Sequence, residues 1–155
     1  MSHKTGIIFN EALRHCDAFV SATGGRIYFT SNEVSPLDRD NTPLPYVVLT
    51  LDSVVNDQGT KDSWEGDTDM ATLTLEVNAK TSEQVAELTD MARDAVVDYF
   101  DAVVSEEVET EYADLVPLDI ISLSSNGIHW DFRKPCYYTE LTWACDVKRD
   151  FKKED

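Results

Sequence analysis

Three histidines (His3, His15 and His129), three cysteines (Cys16, Cys136 and Cys145) and thirty carboxylates are the side chains of this chain best suited to chemistry. A zinc site needs Cys and His in short paired spacings, and none occurs here. Cys16 projects to the centre of an apolar helical arc and Cys145 keeps step with the apolar residues of a strand, so both read as small core hydrophobes. A Ser or Cys nucleophile needs a base within reach and a third group to orient it; His129 near Asp131 is not such a triad, and no nucleophile elbow is present. Gly24-Gly25 leads out of a helix into a strand, the reverse of the order that cradles a phosphate. Asp62, Glu65, Asp67 and Asp69 crowd one stretch without the residue order of an EF-hand. A solvated hairpin tip accounts for them, and a weak divalent-cation site within 56–69 stays open as the alternative. No catalytic, cofactor-binding or metal-binding residue is assigned and no cofactor is expected; the chain reads as an assembly component rather than an enzyme.

Elements that would position any such groups follow from the periodicity. Ile8, Phe9, Ala12, Leu13, Cys16, Phe19 and Val20 share one helical arc, which predicts a helix over about 5–22, stopped by Gly24-Gly25. A short strand at 26–30 precedes a Pro-rich loop at 31–45, and a strand runs from Tyr46 to about Val55. Ala71, Leu73, Leu75, Val77 and Ala79 alternate with polar residues and predict a half-buried strand that pairs with the preceding one across a long acidic tip. Thr81 and Gln84 form a capping box ahead of the main helix, about 82–104. Strands are expected at 118–124, from Ile128 to Phe132, and from Tyr137 to Val147, with Asn126-Gly127 as a hairpin signal between the first two. The expected fold is α+β: a mostly antiparallel or mixed sheet of about five to six strands flanked by two helices, in one domain spanning 1–155, with 1–4 and 149–155 frayed.

The chain is 155 residues long and carries a formal charge of -17, which argues against a surface that grips nucleic acid. An odd number of cysteines without paired spacing points to a reducing compartment. No leader-like apolar run follows Met-Ser-His-Lys-Thr-Gly and no stretch is long and apolar enough to span a membrane, so neither a signal peptide nor a span is expected. Between Asp62 and Asp131 there are eighteen acids and only two bases, Lys80 and Arg93. Glu83, Glu87, Asp90, Asp94, Asp98 and Asp101 of the main helix project within an arc of about 80°, a one-sign stripe facing either solvent, a basic partner, or a passage through which a polyanion slides. Beside the core-facing arc of the same helix lies a second apolar strip, Ala86, Val97, Phe100 and Val104, suited to the first helix or to a neighbouring subunit.

The order of these parts resembles that of the tail terminator, or tail-completion, proteins of long-tailed bacteriophages and prophages. The resemblance rests on the opening helix, Arg26-Ile27-Tyr28, the Pro-rich loop, Pro45-Tyr46-Val47-Val48-Leu49, Thr72-Leu73-Thr74-Leu75-Glu76-Val77, the amphipathic helix, Gly127-Ile128-His129-Trp130-Asp131 and a closing strand at Tyr138–Trp143, over about 5–148. It implies a structural virion protein of the tail or neck, made in the host bacterial cytoplasm, whose copies, usually six, form a ring. That ring would cap the tail tube protein and join it to the head-side connector or head-completion protein, with DNA passing through the hole unbound and no membrane involved. The family brings no catalytic residues. The acidic tip, 56–69, and the acidic connection, 105–117, depart from the pattern. Two other readings stay open: a head-completion, neck or tail tube protein of the same assembly, and a monomeric acidic adaptor or inhibitor.

Overall fold

A computed structural model describes residues 4–29, 41–57, 68–117 and 119–148. In chain order they form α1 (Thr5–His15), α2 (Asp17–Thr23), β1 (Ile27–Phe29), β2 (Tyr46–Asp57), β3 (Thr68–Ala79), α3 (Ser82–Val104), a 3-10 turn (Ala113–Leu115), β4 (Asp119–Ser125), β5 (His129–Asp131) and β6 (Cys136–Lys148). Six strands make one mixed sheet in the order β1-β2-β3-β6-β4, with β5 also on β6. Only the β1–β2 pair is parallel. This is the α+β fold expected from the sequence.

Alternation along the three long strands decides which face is buried. Val47 pairs with Val77 and Leu49 with Leu75; Leu73 pairs on its other side with Trp143 and Leu75 with Leu141. All of these are buried, whereas Thr50, Thr72, Thr74, Glu76, Thr142 and Asp146, one residue out of step, keep part of their surface in solvent. Shifting β3 by one residue would turn its apolar set outward, so the register is strongly specified. Helices α1 and α3 lie on the apolar face and α2 leans on α3. Phe9 of α1 sits at the middle of this layer, 5.0 Å edge-to-face from Phe100 and 5.7 Å from Trp143. Across the polar face, the Thr74 hydroxyl donates to the Asp52 carboxylate, joining β3 to β2.

The main helix begins where the capping box places it: Oγ1 of Thr81 accepts from the Gln84 N–H at 3.1 Å, replacing a bond that the first turn lacks. The opening helix is not continuous. Cys16 is extended (φ -83, ψ 102) and the chain restarts as α2 at Asp17. No proline or glycine dictates the break, and Phe19 of α2 is fully buried. Gly24 then ends α2 in the left-handed region (φ 62) that a residue with a Cβ adopts at a cost. Cys16, projected from the sequence to the middle of a buried arc, is therefore only partly buried.

Asn126-Gly127 does not form a hairpin between β4 and β5. Both strands run antiparallel to β6 along the same edge, Ser125 opposite Leu141 and His129 opposite Tyr138, so they are two stretches of one interrupted strand. The dipeptide makes the kink between them, with Gly127 at φ 86. Asn126 Oδ1 accepts from the Glu140 N–H at 3.0 Å, and the hydroxyl of buried Thr139 donates to the Gly127 carbonyl at 2.6 Å. The positive φ that makes Asn-Gly a turn former is used here for a bulge-like kink.

Candidate assembly surfaces

All six carboxylates of the predicted stripe, Glu83, Glu87, Asp90, Asp94, Asp98 and Asp101, are exposed on the side of α3 turned away from the sheet. Arg93 is the helix's one base and projects about 100° of arc or more from three of them, Glu87, Asp94 and Asp98. Glu83–Glu87, Asp90–Asp94 and Asp94–Asp98 are like-charged pairs four apart, each destabilising a helix by ~0.2–0.5 kcal/mol. The second apolar strip divides. Phe100 is buried against Phe9 and belongs to the chain's own core, the first-helix alternative; Ala86, Val97 and Val104 are exposed, Val104 at 72%.

Between α1–α2 and α3 lies a groove of about 460 Å³. Its floor is apolar, with Ala12 and Cys16 on one wall and Met91, Ala95 and Ala102 on the other; Asp94 and Asp98 stand on its rim. The break at Cys16 shapes one wall. His15, also at the groove, meets the Tyr99 ring at a tilt of 54° with ring centroids 5.0 Å apart. Glu11 fixes the end of this region: its Oε2 accepts from the Tyr99 hydroxyl at 3.0 Å and from Thr110 Oγ1 at 2.7 Å, tying α1 and α3 to the acidic connection. Burial, and then the hydrogen bond to Glu11, raise the Tyr99 pKa above its ordinary value. The connection is thus anchored, with Val108, Tyr112, Leu115 and Val116 packed on the core. Glu106, Glu109 and Glu111 line a more open hollow beside it.

A third surface runs along β4 and β5, the sheet edge remote from β1. Ile128, Trp130 and Phe132, which alternate with His129 and Asp131 in the sequence, are 43%, 41% and 88% exposed. Burial does not follow the alternation, since His129 is exposed as well and Asp131 is half-buried; among the described residues the Trp130 ring meets that of Tyr137 edge-on at 4.8 Å. Leu123 of β4 extends the strip. In the following turn Arg133 is exposed, while Lys134 donates to the Thr42 carbonyl at 2.6 Å and sits 4.5 Å from the Tyr46 ring centroid. Sequence reasoning missed this surface because the period of a strand does not say whether anything covers it. The signal available was the adjacency of Trp130, Phe132 and Arg133 at a turn.

The remaining chemical candidates disperse. Among the described residues no three His, Cys, Asp or Glu side chains stand close enough together to share a metal ion. His3, Asp62, Glu65 and Asp67, and with them most of the candidate cation stretch, lie outside the described residues. His129 has a ring nitrogen 2.7 Å from the Asn126 carbonyl oxygen and its ring centroid 5.7 Å from that of Tyr138. Cys136 and Cys145 are buried, and burial, with a smaller contribution from Asp146, pushes the Cys145 thiol up to about 12. No helix among the described residues is long and apolar enough to cross a membrane.

No protein-family model matches the chain, and no curated protein matches it. Among solved structures, a chain described as "Virion of native gene transfer agent (GTA) particle" aligns over 91% of this chain and 92% of its own length, with 16% identity and a TM-score of 0.47. A likeness at that level carries no argument about the activity or assembly of this chain.

Proposed function

We propose that this chain is a non-catalytic structural component of a phage-like virion, whose copies form a ring that ends the tail tube and joins it to the head-side connector. The observation that carries an assembly role is the uncovered β4–β5 edge. A chain with a charge of -17 leaves Leu123, Ile128, Trp130 and Phe132 in solvent along a strand edge whose outer backbone groups no strand takes up among the described residues. Apolar edges of this kind invite another chain, and proteins that stay monomeric blunt them with charge or cover. The tail terminator assignment is supported by the order of elements from the opening helix to the closing strand. In such a ring the α3 carboxylates that no neighbouring copy covers would repel the phosphate backbone and let DNA slide through without adhering. Electron microscopy of the purified chain mixed with tail tube protein tests the reading. Rings seated at tube ends support it; tubes with bare ends, beside a chain that stays monomeric, refute it.

A further inference from the structure

The geometry points to a head-to-tail contact between copies of this chain, in which the β5–β6 turn of one copy seats Phe132 in the groove between α1–α2 and α3 of the next, with Arg133 against Asp94 and Asp98. The inference rests on the ring reading and adds the two surfaces that meet.

Three observations carry it. Phe132, at 88% exposure, is the most exposed large apolar residue among those described, and it sits at a turn held at both ends by the β5–β6 ladder. The groove has an apolar floor and, at about 460 Å³, room for a phenyl ring with part of its neighbour Trp130. Charge is complementary at the contact: the groove rim carries Asp94 and Asp98 with Asp90 and Asp101 beside them, Arg93 projects to the other flank of α3, and the turn brings Arg133 next to Phe132. For a chain this acidic, self-association must place a base where it meets acid, and of its thirteen Lys and Arg residues one, Arg133, stands exposed directly beside Phe132. Since knob and groove are different surfaces, the contact is heterologous, and repeating it gives a closed ring or an open filament rather than a two-fold dimer.

Sedimentation velocity on the full chain at several concentrations tests the contact, with circular dichroism confirming the fold of each variant. Wild type is expected as a multiple of 17.5 kDa larger than a dimer. Phe132→Ser and Arg133→Glu each weaken association by ~10-fold or more, as buried aromatic and Arg anchors do. Asp94→Arg with Asp98→Arg weakens it similarly, and adding Arg133→Glu to that pair restores it, which a merely structural role would not do. Assembly of the single variants at wild-type strength, failure of the combined variant to recover, or a species that stops at two copies overturns the contact and leaves the ring reading standing. A wild-type chain that is monomeric at every concentration and with tube protein present overturns both.

Discussion

Phe100 separates what α3 does for its own chain from what it offers a neighbour. Its side chain is 6% exposed and meets Phe9 edge-to-face at 5.0 Å, with Phe9 in turn 5.7 Å from Trp143. Replacing it by Ala removes an aromatic side chain whose burial is worth ~1.5–3 kcal/mol. It also forfeits an edge-to-face pair worth ~0.5–1.5 kcal/mol. With the cavity left behind, the expected loss is ~3–5 kcal/mol. For a chain of this size each kcal/mol moves Tm by about 2–4 °C, so the midpoint should fall by roughly 10 °C. Val104→Ala, at a position 72% exposed, is the control and should stay within ~0.5 kcal/mol. Urea unfolding of both variants, followed by circular dichroism at a concentration low enough for the monomer, measures the difference. A Phe100→Ala loss under ~1 kcal/mol would refute the core assignment and return the residue to the exposed strip.

Further outcomes follow from local geometry. Thr81→Ala removes the acceptor 3.1 Å from the Gln84 N–H and should cost ~1 kcal/mol in urea unfolding, whereas Thr81→Asp should keep most of it. Gly127→Val, at φ 86, should cost ~1–3 kcal/mol and lower Tm, because the kink between β4 and β5 needs a conformation that a β-branched residue resists. At pH 8, and at a concentration low enough for the folded monomer, a thiol reagent should modify Cys16 quickly and Cys136 and Cys145 only on unfolding, counted by mass spectrometry. With the Cys145 thiol raised from its ordinary 9.0 to about 12, the unfolded chain loses that proton first; its contribution to stability is complete below pH 9 and declines as pH rises toward 12. Cys145→Ala should flatten that decline.

Elements that bury one face against a fixed neighbour were legible in the sequence. The alternation from Ala71 to Ala79 has one register that puts Leu73 and Leu75 inside, and the Thr81 cap with its following arc defines α3 to within a residue. What stayed hidden was set by tertiary context. Cys16 breaks the opening helix without a local breaker, so nothing in the sequence marks the break. Asn126-Gly127 has the φ preference of a hairpin turn, and only the pairing of both flanks with β6 makes it a kink. The acidic stripe could be placed from 100° per residue alone, since a helix with one apolar arc must expose the other. The exposure of Ile128, Trp130 and Phe132 could not, because alternation is the same for a covered strand and an uncovered one.

Assembly is the central claim, and the mass of the wild-type chain in solution tests it most directly. Light scattering behind size exclusion, over a wide range of protein concentration and at low and moderate salt, should show one discrete species at an integral multiple of 17.5 kDa, six copies for a terminator ring, that does not grow without limit. A mass of 17.5 kDa at every concentration and salt, and with tube protein present, would contradict it.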